Sequence, residues 1–90
     1  MTETYDLCWK DTHLGVLEVD GQGRHRYRVD RDAAERLRKT APIGPCLLED
    51  SPGDFGPPMP FFKARLETMT AWKLTELNYQ TDWFLLKKRL

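Results

Sequence analysis

The stretch that decides the fold is Thr4–Val29, TYDLCWKDTHLGVLEVDGQGRHRYRV. Its first seven residues alternate. Tyr5, Leu7 and Trp9 point one way; Asp6, Cys8 and Lys10 point the other. A period of two with aromatic enrichment predicts a strand. The polar break Asp11–Thr12–His13 leads into a second apolar run, LGVLEV, at residues 14–19. Asp20, Gly21 and Gly23 then supply the chemistry of a turn that needs positive φ. RHRYRV at residues 24–29 alternates again, with His25, Tyr27 and Val29 set against Arg24, Arg26 and Arg28. Three strands joined by two short polar turns predict an antiparallel meander.

Working outward, the period changes at Asp30. DRDAAERLRK, residues 30–39, predicts a short helix. Asp30 or Asp32 can cap it, and Asp32 with Glu35 has capping-box spacing. Ala33, Ala34 and Leu37 form a thin apolar face, while Arg36, Arg38 and Lys39 complement the dipole at its end. Pro42 stops it. Residues 41–60 hold all six prolines and three of the six glycines. Ile43, Leu47, Leu48 and Phe55 predict that this segment docks on the body of the domain instead of acting as a linker.

GDFGPPMPFFKARLETM, residues 53–69, then turns into a second helix. Pro60 suits its first turn, and Phe62, Leu66 and Met69 share one face, with Lys63, Arg65 and Glu67 elsewhere on the circumference. Leu74 and Leu77 are also spaced for a helix, whereas LNYQTDWFLLKKRL, residues 77–90, predicts a final strand or hairpin arm. In it Trp83 and Leu85 oppose Phe84 and Leu86, a pattern that suits a central position in a sheet or one covered by a helix. The expectation for residues 1–90 is a single α+β domain: a small antiparallel sheet, made of the three-stranded meander plus a C-terminal strand, with two short helices.

Composition bounds the function. The 90 residues carry 14 basic and 14 acidic side chains, so the formal net charge is zero. The charges fall in alternating blocks: residues 1–20 have one lysine against five acids, and residues 21–40 have seven bases against three acids. Such blocks neutralise one another in a folded domain and give no strong field to steer nucleic acid or an anionic membrane. No run approaches the ~20 apolar residues of a membrane helix. The polar N-terminus lacks the pattern of a signal peptide, which makes the cytoplasm the expected compartment. Cys8 and Cys46 are then expected to be reduced.

The chemistry-bearing residues are few. His13 is expected in a turn and His25 in a strand, and neither has a partner at metal-ligand spacing. No phosphate-binding loop or nucleophile motif occurs; DGQGRH is a turn. No cofactor, metal or catalytic set is expected, and the protein is expected not to be an enzyme. Arg24, Arg26 and Arg28, alternating with His25 and Tyr27, could grip phosphate and stack a base. The competing reading makes them a solvated strand face paired across the sheet with Glu18 and Asp20. Trp9, Trp72 and Trp83 are expected in the core, unless one is displayed beside a phenylalanine as a contact site. Phe55, Phe61 and Trp72 are the candidate partner-binding residues, since Phe55 and Phe61 need not fit the helix stripe.

Three pieces together resemble the N-terminal subdomain of the HipA kinase family. LCWKDTHLGVLEV, with Leu14–Gly15–Val16–Leu17, is similar to its opening strand pair. GRHRYRVD is similar to its next strand, and MPFFKARLE to its proline–phenylalanine–phenylalanine helix start. The likeness covers residues 5–30 and 57–67, and the Leu-Leu-Pro ending usual in the family is missing. The resemblance implies a small α+β module of toxin–antitoxin systems. It implies an accessory or antitoxin-like role and a HipA-type kinase as partner. It does not reach the family's kinase core, so kinase activity is not implied. Unpaired edge strands also allow a homodimer.

Overall fold

The computed structural model describes residues 1–79 and 82–90. The order is β1 (Glu3–Trp9), β2 (Thr12–Val19), β3 (His25–Val29), α1 (Arg31–Thr40), a one-turn 3-10 helix (Pro45–Leu47), α2 (Pro60–Ala71), β4 (Glu76–Tyr79) and β5 (Phe84–Lys88). The strands form one antiparallel sheet of order β3-β2-β1-β5-β4. The expected meander and α+β class are present. The segment expected as a C-terminal strand or hairpin arm is a hairpin, β4–β5, and its second strand, β5, inserts beside β1. Trp83 lies outside β5, in the preceding turn. The part of the expected final strand at Gln80 and Thr81 lies outside the described residues.

The period-two pattern sorts the sheet into two faces. Tyr5, Leu7, Leu17, Tyr27, Phe84 and Leu86 are buried under the helices and the proline-rich segment. Asp6, Cys8, Val16, Glu18, Arg26 and Leu85 alternate onto the other, uncovered face, where they are only half-buried. Leu85 is half-buried on that face, with Cys8 and Asn78 as its neighbours across the sheet. The first turn is tighter than its sequence implies. Trp9 pairs with Thr12, and Lys10 takes φ 51°, so His13 sits in β2 and not in a turn. The register slips after Leu7, leaving Leu14 as an extra residue, and both Leu14 and Gly15 are buried.

Gly15 has a specific reason to lack a side chain. The Tyr27 ring lies over it, and a β-carbon there would come within 2.6 Å of Tyr27 Oη and 2.7 Å of its ring. The tyrosine hydroxyl donates to the carbonyl of Leu47, 2.8 Å away. One ring thus ties two strands to the connection that follows α1. Asp30 caps α1 by accepting from the Ala33 amide. With Asp30 in that role, Asp32 falls in the first turn and the capping box expected of Asp32 and Glu35 is not formed.

The proline-rich segment docks as expected: Ile43, Leu47 and Leu48 are buried. Its later part closes the outer edge of β3. His25 and Gly56 exchange backbone bonds in both directions, at 3.0 and 2.9 Å. The Ser51 amide donates to the Tyr27 carbonyl, Ser51 Oγ accepts from the Tyr27 amide, and Asp50 Oδ1 accepts from the Val29 amide. Every outward amide of β3 is satisfied this way. After the strap, Met59 is the α2 N-cap residue and Pro60 occupies the first turn, where a missing N–H costs nothing.

Candidate functional site

The α2 stripe differs from its sequence pattern, and the difference builds the most distinctive region of the surface. Phe62 and Met69 are buried, as the spacing predicts, but the third buried residue is Arg65, 7% exposed, while Leu66 is only half-buried. Position 65 lies about 40° beyond 69 and about 60° from 62 on the helical circumference, so it shares their buried stripe despite its charge. The guanidinium is accommodated because it stacks on the Phe61 ring at 3.7 Å and the Tyr79 ring at 4.9 Å. It also donates to the Phe61 carbonyl and pairs with the Asp82 carboxylate. Asp82 in turn accepts from the Phe84 amide through its other oxygen. Arg65 thereby fastens α2 to both ends of the β4–β5 connection.

Around this anchor, apolar side chains are displayed. Trp72, the C-cap residue of α2, is 74% exposed and Trp83 is 58% exposed. Leu74 and Tyr79 are also exposed. Trp83 holds φ 65°, a costly conformation for a bulky residue, fixed by its amide donating to Tyr79 and its carbonyl accepting from Lys10. Lys10 Nζ lies over both the Trp9 ring and the Trp83 ring, at 4.6 and 5.5 Å. Trp72 and Trp83 depart from the core placement expected of the tryptophans, and Trp9 is half-buried. The core is filled by smaller and narrower side chains under a sheet only five strands wide, leaving the indoles at element ends.

Phe55, Phe61 and Trp72 do not gather into one patch. Phe61 is packed edge-to-face against Phe62 and Phe84, with centroids 5.2 and 5.0 Å away. Phe55 is half-buried at the β3 edge, under the Arg26 guanidinium at 4.3 Å. Trp72 lies at the far end of α2 from Phe61, about 16 Å along the axis at 1.5 Å per residue. Of the three, Trp72 is the displayed residue; Leu74 near it, and Tyr79 and Trp83 at the other end of β4, are displayed as well. Sequence reasoning missed Leu74, Tyr79 and Trp83 as displayed residues. The signal that could have found them is the polar QTD between two short apolar runs, a hairpin pattern.

Arg24, Arg26 and Arg28 are occupied within the chain. Arg24 pairs with Asp20 at 2.8 Å. Arg26 grips Glu18 through two nitrogens at 3.0 and 3.1 Å, and also meets Asp54. Arg28 donates to the carbonyls of Tyr27, Ser51 and Gly53. The cross-strand pairing with Glu18 is the arrangement expected of a solvated strand face.

His25 is 4% exposed, and its Nδ1 accepts from the Met59 amide at 3.0 Å. Burial pushes its pKa below the ordinary 6.5, outweighing the opposite pull of Asp20. It borders a cleft of about 380 Å³ walled by Pro57, Pro58, Met59 and Cys46. Asp50 and Asp54, also in its wall, already accept from Val29 and Arg26. His13 lies on the open face, 2.9 Å from Asp6, which also takes two bonds from Arg89. Among the described residues no group of three or more His, Cys, Asp or Glu could hold a metal ion. Comparison with protein-family models, curated proteins and solved structures found no match to this chain. No helix among the described residues is long and apolar enough to cross a membrane.

Proposed function

We propose that the protein is a non-enzymatic protein-interaction module whose contact surface is the β4 side of the sheet. The observation that carries this reading is the display of Trp72 and Leu74 ahead of β4, and of Tyr79 and Trp83 at its other end, where Arg65 of α2 holds Tyr79 and Asp82. Exposed aromatics on a fixed support are the usual anchors of protein interfaces, because little side-chain freedom is lost on binding. The likeness of residues 5–30 and 57–67 to the HipA N-terminal subdomain supports a HipA-type kinase as the partner. On this reading the protein is an accessory or antitoxin-like component that meets the kinase as a separate chain in the cytoplasm.

Calorimetry with a HipA-type kinase from the same genome tests it. Binding is expected, and Trp72→Ala or Trp83→Ala should weaken it by roughly 30-fold, the loss of a central aromatic anchor. No binding, or binding indifferent to both substitutions, overturns the reading. A nucleic-acid accessory using Arg24, Arg26 and Arg28 is the weaker alternative, because those guanidinium groups already have partners. Binding that falls steeply with salt would favour it.

A further inference from the structure

The two edges of the sheet are treated differently, and the difference identifies an occupant. The β3 edge is closed by the Asp50–Gly56 strap. Among the described residues the β4 edge has no such cover. The Lys88 amide donates to the Thr75 carbonyl, so the backbone of Thr75 faces β5. Alternation along the antiparallel ladder turns Leu77 and Tyr79 the same way, and directs the amides and carbonyls of Glu76 and Asn78 outward. Those outward groups have no hydrogen-bond partner among the described residues. The strand ELNY is short and carries one charge, Glu76, but it has no proline, no lysine and no bulge to blunt the edge.

We infer that the β4 edge pairs antiparallel with the β4 edge of a second copy of this chain, making one continuous sheet across a twofold axis. The inference rests on reading this side of the molecule as a contact surface, and assigns only its β4 backbone edge to a second copy. Charge excludes one register. Centring the axis on Glu76 would set two carboxylates directly opposite, which is unfavourable. Centring it on Leu77 places each Glu76 opposite Asn78 of the other copy. In that register the outward-facing residues form two pairs, each able to exchange both backbone bonds.

Leu77 then meets its own copy on the helix-covered side, where it already packs against the core. Thr75 lies opposite Tyr79. The apolar residues displayed before β4, Trp72 and Leu74, are brought to the end of the other copy where Tyr79 is displayed. Both ends of the strand are matched at once only in the antiparallel arrangement. An isologous contact of this kind is closed, so it stops at a dimer.

Sedimentation velocity of the purified protein alone, over a concentration series, tests the pairing. The unmodified chain is expected to dimerise. Asn78→Pro, which removes an outward N–H without touching the β5 ladder, should be monomeric. Asn78→Glu sets two like-charged pairs across the axis and Asn78→Lys two opposite-charged pairs. These should shift the dimer dissociation constant in opposite directions, by roughly 2- to 30-fold, the range two cross-strand pairs supply. A chain that stays monomeric throughout overturns the inference. So does a dimer unaffected by Asn78→Pro, or one that Glu and Lys shift alike. Circular dichroism of each variant confirms that the fold is intact. Kinase binding by the Asn78→Pro variant is measured separately, so failure of self-pairing and failure of the partner reading give different results.

Discussion

The guanidinium of Arg65, on α2, is held against the carboxylate of Asp82, ahead of β5, while its faces are covered by the rings of Phe61 and Tyr79. A buried arginine stripped of its carboxylate, or a carboxylate left beside an emptied slot, is costly. Asp82 is one-third exposed, which softens the effect. Arg65→Ala is expected to lower unfolding stability by about 2–3 kcal/mol, and Arg65→Met, which keeps the packing of the stem, by about half as much. Urea denaturation with an unchanged m-value checks both. An Arg65→Ala protein as stable as the parent would show that the anchor is not structural.

The contact between Tyr27 and Gly15 is equally specific. A methyl group at position 15 has no space under the ring. Gly15→Ala is expected to cost about 1–3 kcal/mol through overpacking. Adding Tyr27→Leu should recover part of that loss, so the double substitution costs less than its parts combined. Tyr27→Phe alone should cost about 1 kcal/mol, by leaving the Leu47 carbonyl without its donor. Strict additivity of the Gly15 and Tyr27 substitutions would contradict the contact.

Stability should decline as the solution is acidified below pH 6.5, the ordinary histidine value. Burial holds the native His25 pKa beneath that value, and its neutral Nδ1 accepts from Met59. Above 6.5 both folded and unfolded chains are neutral at this site, and its contribution is complete. Below it the unfolded chain takes up a proton that the native chain resists, so stability is lost until the native pKa is reached. One proton limits the slope in that window to at most about 1.4 kcal/mol per pH unit. His25→Asn, whose Oδ1 can accept from Met59, should flatten it. At lower pH a second decline is expected from Asp6, whose carboxyl the Arg89 bonds hold below the ordinary 3.8 against an opposing burial effect. That contribution is present above 3.8 and lost as pH falls through the native value. Denaturation midpoints from pH 7.5 to 4.5 check the histidine window, and an unchanged slope in His25→Asn would assign it elsewhere.

The elements that were legible in the sequence are those specified by near neighbours. Alternation in TYDLCWK and RHRYRV, the turn at Asp20–Gly23, the Asp30 cap and Pro60 each act within a few residues. What was not legible depends on distant ones. Ser51 meets Tyr27 from 24 residues away, so the strap could be foreseen as a docked segment but not as the cover of a strand edge. Arg65 reads as exposed because it is charged; its burial depends on Asp82 and Tyr79, which reach it from the hairpin. The β4 strand was hidden because Leu74 and Leu77 imitate a helical spacing and only Leu77 of its four residues is shielded. The displayed surface followed from that miss: with β4 unseen, Tyr79 and Trp83 had no edge to belong to.

The central claim is that one sheet edge is closed within the chain and the other is kept for a second strand. Amide hydrogen exchange resolved by residue tests it most directly. His25, Tyr27 and Val29 are expected to be protected at every concentration. Glu76 and Asn78 should exchange fast in dilute protein and become protected as the concentration rises. Fast exchange at Glu76 and Asn78 at every concentration, with or without a partner present, would contradict it.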